Sequence, residues 1–207
     1  LKDLETLEKK KESLKRTANA GDKNAVKKLD IINQYYDFIS SGHSARSLDI
    51  ENDEYIGELN LLTKKPVLYV CNVDEGSING NEYTKMVQNA IVDEKAEMQI
   101  ISAAIEADIN ELDSFSDREE FLKEIGLEEP GVNKIISSAY SLLGLHTFFT
   151  AGEKEVRAWT IKKGALAPEA AGVIHTDFEK GFIRAEVISF NDRVKFKTEQ
   201  ACREAGK

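Results

Sequence analysis

Two short polar segments, each directly after an apolar run, carry the residue types best suited to reading a hydrogen-bonding ligand. Asn72-Val73-Asp74-Glu75 follows Pro66-Val67-Leu68-Tyr69-Val70-Cys71, and Ser102-Ala103-Ala104 follows Met98 to Ile101. A carboxamide offers donors and an acceptor on one side chain, and a carboxylate offers paired acceptors. Such groups can read the edge of a planar heterocycle. The plainer alternative is an Asn making a turn and a Ser capping a helix. His175-Thr176-Asp177 with Glu179 has the residue types of a metal or catalytic site. No Cys or second His lies near it in sequence, and metal sites recruit several such ligands, so the expectation is a loop with an Asx-type turn entering a strand. His43 stands alone in the polar loop Ser40 to Ser44. No catalytic residue and no metal ligand is assigned.

Two basic groups remain. Lys9, Lys10, Lys11, Lys15 and Arg16 lie among acids and read as a wet helix face. Lys180, Arg184, Arg193, Lys195 and Lys197 lie near Trp159, Phe178 and Phe182, a combination compatible with RNA contact, most of all at Lys180 and Arg184. Core packing explains the aromatics equally well.

The elements that must position these groups follow from periodicity. Leu1, Leu4, Leu7, Leu14 and Ala18 form one helical stripe; Val26, Leu29, Ile32, Tyr36 and Ile39 form another. Asn19-Ala20-Gly21-Asp22 breaks the run, with Asp22 or Asn24 as a cap. A turn that short predicts an antiparallel helical hairpin. A short helix is expected over Asp53 to Leu62. The run Pro66 to Cys71 reads as a parallel strand buried on both faces. A helix over about Asn81 to Ala96, a strand at Met98 to Ile101 and a helix from about Ile105 complete part of a doubly wound sheet. Both polar loops then lie beyond the carboxyl ends of strands, where such sheets bind ligands. Further on, Thr147 to Thr150 and Glu155 to Ile161 predict a β-hairpin around Ala151-Gly152-Glu153. Pro168 opens a short helix ended by Gly172, and Phe182 to Ile188 predicts another strand. The fold class is therefore α/β plus α+β.

Charge divides the chain in the same places. Residues 1–65 carry 12 bases and 12 acids, residues 66–146 carry 5 and 16, and residues 147–207 carry 11 and 9. An acidic middle between neutral and mildly basic ends points to three units: 1–48, 49–146 and 147–207. The net charge of −9 argues against a chain that coats nucleic acid, and no DNA-binding role is expected. No run of about 18 apolar residues is present to span a membrane. Cys71 and Cys202 are too few for a disulfide framework. A cytoplasmic protein is expected. The chain begins with Leu inside a helix and ends at Ala201 to Lys207 without a stop signal, so it reads as part of something longer.

P-loop GTPases read their base with an Asn-Lys-x-Asp loop after one strand and a Ser-Ala-x loop after the next. Asn72 to Glu75 followed by Ser102 to Ala104 has that order. Glu75 stands in the Asp slot, one methylene longer, and Val73 in the Lys slot. Guanine offers a ring donor to a carboxylate there, whereas adenine offers a ring acceptor, and a carboxylate facing it would go unpaired. The departure favours adenine or weak discrimination.

Residues 147–190, TFFTAGEKEVRAWTIKKGALAPEAAGVIHTDFEKGFIRAEVISF, resemble closely the start of the TGS domain of the YchF-type (Obg-like) ATPases of the P-loop NTPase class. The acidic stretch before it resembles that family's linker, and Asn72 to Glu75 matches its Asn-x-x-Glu loop. The resemblance implies ATP hydrolysis in preference to GTP, Mg²⁺, ribosome association, and a P-loop domain with an inserted coiled coil followed by a β-grasp TGS domain. It implies a nucleotide site of Asn72, Val73, Glu75, Ser102, Ala103 and Ala104, with the Ala103 N–H available to the base. The chain departs from the pattern in having no G-x-x-x-x-G-K-[ST] and lacking the last TGS strands. The parent is thus expected to be an ATPase/GTPase and this chain alone inactive. The alternative is a non-catalytic ribosome- or RNA-binding module switched by nucleotide.

Overall fold

The computed structural model describes residues 1–51, 54–94, 96–152 and 154–207. The expected helix start at Asp53, the turn residue Glu153 and Lys95 within the expected helix 81–96 fall outside the described residues. The chain forms two compact units, Leu1–Leu143 and Gly144–Lys207.

The first unit opens with α1 (Lys2–Asn19) and α2 (Lys23–Ser40). Gly21 takes φ +91°, and the Asp22 carboxylate accepts from the N–H groups of Asn24 and Ala25, as a cap should. Leu7, Ile32 and Tyr35 are fully enclosed and pack with Ile39, Tyr55, Ile56 and Leu61. The buried stripe is rotated from the expected one: Ala25 and Tyr35 face inward, while Val26 is 49% exposed. The lysines of α1 do not simply project into water. Lys10 and Lys28 both lie over the Tyr55 ring and Lys11 over Tyr36, where their stems cover apolar surface.

The expected helix 53–62 shrinks to α3 (Glu54–Gly57). Gly57 is a poor helix former and Asn60 adopts φ +50°, so the chain turns and then makes a 3₁₀ turn at Leu62–Lys64. That turn is held by Asp3. Its carboxylate accepts from the N–H groups of Leu62 and Thr63, both at 2.8 Å, and from the Thr63 hydroxyl at 2.7 Å. Thr63 also accepts, at Oγ1, from the Ala45 N–H and, at its carbonyl, from Arg46 Nη1. Arg46 continues to Glu94 at 2.7 Å, which also accepts from the Tyr69 hydroxyl.

Next come β1 (Leu68–Asn72), α4 (Glu82–Ala90) and β2 (Glu97–Ile101). The two strands pair in parallel, with Asn72 opposite Ile101. The expected helix to residue 96 ends at Ala90 instead. Acids at 93 and 94 oppose the negative end of a helix, and Glu94 is held by Arg46 and Tyr69. Three helices follow: α5 (Ala103–Glu111), α6 (Phe115–Glu124) and α7 (Gly131–Leu142). Ile105, Ile109 and Leu122 form a second small core.

The second unit begins with the expected hairpin, β3 (Leu145–Ala151) and β4 (Val156–Lys162), with Phe148 opposite Trp159. Arg157 lies 4.2 Å over the Trp159 ring. The helix at Pro168 runs on as α8 (Ala167–Ile174), with Gly172 inside it rather than ending it. A Cβ at Gly172 would lie 2.6 Å from Glu179 Oε2, so the Glu179 side chain packs close against this helix. The loop expected at 175–179 is instead α9 (Thr176–Lys180), capped by His175 Nδ1 accepting from the Asp177 N–H. The expected strand 182–188 does not form. It has no partner among the described residues, and Ile183 and Val187 are 91% and 82% exposed. Two short helices, α10 (Phe190–Phe196) and α11 (Glu199–Glu204), close the unit.

Burial pushes the Asp3 carboxyl up, but the bonds from Thr63 and Leu62 outweigh it and hold it below its ordinary value. The stability it contributes is thus complete above the usual carboxylate range and is lost as pH falls through the lowered value. Asp3→Asn should cost about 1–3 kcal/mol in urea unfolding at neutral pH, because an amide group then faces N–H donors. The deficit should shrink on acidification, as wild type loses its advantage; a pH-independent difference would contradict the assignment.

Candidate nucleotide-base site

The parallel register brings the two polar loops side by side at the carboxyl edge of the strands. Val73 extends the ladder by donating its N–H to the Ile101 carbonyl at 2.8 Å. The loops are also joined by a side chain: Asn72 Oδ1 accepts from the Ala103 N–H at 2.9 Å. The Ala103 N–H expected to meet the base is therefore engaged by Asn72. What Asn72 retains for a ligand is the donor half of its amide, and its side chain is exposed.

The remaining candidates divide by exposure. Asp74 precedes a 3₁₀ turn at Glu75–Ser77, and Glu75 is exposed at its start. Ala103 and Ala104 are exposed at the first turn of α5. Ser102 is not: only 1% of it reaches solvent, it makes no cap bond, and its hydroxyl has no hydrogen-bond partner among the described residues. Ser102 therefore sits beneath the loop, and Ala103 and Ala104 form its surface. Bonds bring Asn72 to Ala103 and Val73 to Ile101, while Glu75 and Ala104 are exposed further along the two loops; Lys180 and Arg184 lie in the second unit. Both of these are exposed, and Arg184 pairs with neither Asp177 nor Glu179; Asp177 lies 3.6 Å from His175 Nδ1. Among the described residues no group of three or more His, Cys, Asp or Glu side chains could hold a metal ion. The donors here do not fit a Mg²⁺ site.

Sequence reasoning missed Glu106. Its carboxylate crosses from the first turn of α5 to the N–H groups of Gly131 and Val132. The partners are 25 and 26 residues away, so no local pattern announces the bond.

Exposed loops joined across the carboxyl edge of a parallel strand pair, with helices following each strand, define a mixed α/β fold. Residues 145–207 match a family model described as YchF-GTPase_C, protein of unknown function (DUF933). All of the chain aligns at 46% identity with the ribosome-binding ATPase YchF of Escherichia coli O157:H7, covering 57% of that protein. It aligns at 42% with the same-named protein of Bacillus subtilis, covering 58% of it. A solved structure of the Schizosaccharomyces pombe YchF GTPase superposes with a TM-score of 0.86 at 36% identity, over 99% of this chain and 57% of that one. The chain belongs to the YchF family and spans a little over half the length of these relatives.

Removing the Asn72 carboxamide should release the Ala103 amide. Asn72→Ala should speed its hydrogen exchange about 5- to 10-fold, while Asn72→Asp, which keeps an acceptor, should retain protection. Exchange followed by NMR on this chain decides it; unchanged Ala103 protection in Asn72→Ala would remove the inter-loop bond from the site.

Proposed function

We propose that this chain supplies the base-reading edge of a P-loop NTPase that hydrolyses ATP in preference to GTP, uses Mg²⁺, works in the cytoplasm and associates with ribosomes. The bond between Asn72 Oδ1 and the Ala103 N–H carries the reading. It presets two loops from successive strands as one surface, before any ligand arrives. Residues 1–48 are read as an inserted coiled-coil hairpin, 49–146 as part of a doubly wound nucleotide domain with its linker, and 147–207 as a TGS domain of β-grasp type.

In this reading the Asn72 amide donates to the base edge, Val73, Ala103 and Ala104 line the pocket, Ser102 supports it from below, and Glu75 sets selectivity. Glu75 replaces the shorter carboxylate that would grip guanine at two donors, so GTP gains no bidentate partner. The phosphate cradle and the Mg²⁺ ligands would come from outside these residues, and the chain by itself would not turn over nucleotide. Association with ribosomes is read from the names of the relatives, with the exposed Lys180 and Arg184 as contacts.

Two measurements test the reading. In the full-length protein, Val73→Lys combined with Glu75→Asp should shift relative affinity toward GTP by about 1–3 kcal/mol, by analogy with bidentate base readout. No relative gain for GTP in paired titrations would mean that this loop does not read the base.

Lys180→Glu combined with Arg184→Glu should weaken ribosome co-sedimentation and lower its salt slope by about 2, because two fewer counterions are released. Thermal stability should hold, since both side chains are exposed. Normal ribosome binding by a normally folded variant would refute docking through these two residues.

A further inference from the structure

Glu106 lies three residues beyond Ala103, and its carboxylate leaves its own helix altogether. Oε1 accepts from the Gly131 N–H at 2.6 Å and Oε2 from the Val132 N–H at 3.3 Å. These are the first N–H groups of α7, whose N-cap is Pro130 and which has no side-chain cap of its own. First-turn N–H groups lack partners within a helix, and the positive end of the helix dipole favours an anion. Glu106 therefore caps α7 from α5.

The contact is close. A Cβ on Gly131 would lie 2.9 Å from Glu106 Oε1 and 2.9 Å from Ile101 Cγ2, so only glycine admits both neighbours. Those neighbours flank the loop 102–104: Ile101 is the residue entering it, and Glu106 stands in the helical turn leaving it. The N-terminus of α7 thus braces the loop on both sides, while Asn72 holds it from β1.

We propose that Glu106 is a positioning residue for the base-reading loop, fixing where Ala103 and Ala104 meet the nucleotide base by pinning the first turn of α5 to α7. The inference rests on the reading of this loop as a base site. With the carboxylate gone, one of the loop's two braces is lost, and ligand binding must supply the ordering that the fold no longer provides.

The test uses the full-length protein and two probes, ATP and inorganic tripolyphosphate, which has no base. Kd values are measured for wild type, Glu106→Ala, Glu106→Gln and Asn72→Ala. Glu106→Ala should weaken ATP about fivefold, the scale of one ordinary hydrogen bond, and leave tripolyphosphate unchanged. Glu106→Gln, which keeps the shape and an acceptor without the charge, should fall between. Equal weakening of both probes would mean general loosening and overturn the proposal. Unchanged ATP affinity in Glu106→Ala, with weakened ATP in Asn72→Ala, would also overturn it and leave the base site standing. If neither variant weakens ATP, the base site itself falls, and the proposal with it. Should Glu106→Ala fail to fold, Glu106→Gln decides: an ATP-selective loss of about twofold supports the proposal and equal affinity overturns it.

Discussion

Thr63 is the residue on which the first unit turns. Its N–H and hydroxyl both donate to Asp3, its hydroxyl oxygen accepts from Ala45, and its carbonyl accepts from Arg46. Through Asp3 it holds the start of α1; through Arg46 it reaches Glu94, and from there Tyr69 on β1. The Arg46 hydrogen bond and charge, with the Tyr69 hydroxyl, hold the Glu94 carboxyl below its ordinary value despite its desolvation. One small residue thereby ties a helical hairpin to the strand that ends in Asn72. Every polar group of Thr63 is partnered, whereas the buried Nε of Arg46, in the same network, has no partner among the described residues.

The carboxyl edge of the strand pair was legible in the sequence because it is a local matter. Apolar runs at 66–71 and 98–101, each stopped by polar residues, sufficed to place β1 and β2 within two residues of their bounds. The helical hairpin and β3–β4 were legible for the same reason, periodicity and turn chemistry acting over a few residues. The failures share a different cause. The strand expected at 182–188 has the right alternation, but alternation does not supply a partner. Gly172 looks like a helix end, yet it lies inside α8 with the Glu179 side chain close against it. The helix expected over 81–96 ends at Ala90, and Glu94 beyond it is bound to Arg46, 48 residues away.

At the candidate site the residue types were readable and their division of labour was not. Asn72 appeared as a base reader; half of its amide serves instead to hold the neighbouring loop. Ser102 appeared as part of the lining and is buried beneath it. Neither fact follows from spacing, because both depend on the register that sets Asn72 opposite Ile101.

The span of the Asp3 contact has a consequence for the order of folding. The hairpin α1–α2 closes across three residues, whereas Asp3 finds Leu62 and Thr63 at separations of 59 and 60 residues. Local helical contacts form in microseconds or less, and long loops close only against a larger entropy. As the chain leaves the site of its synthesis, the hairpin assembles before the Asp3 contact can close. It waits until the segment around Thr63 emerges, and only then is its base locked in place.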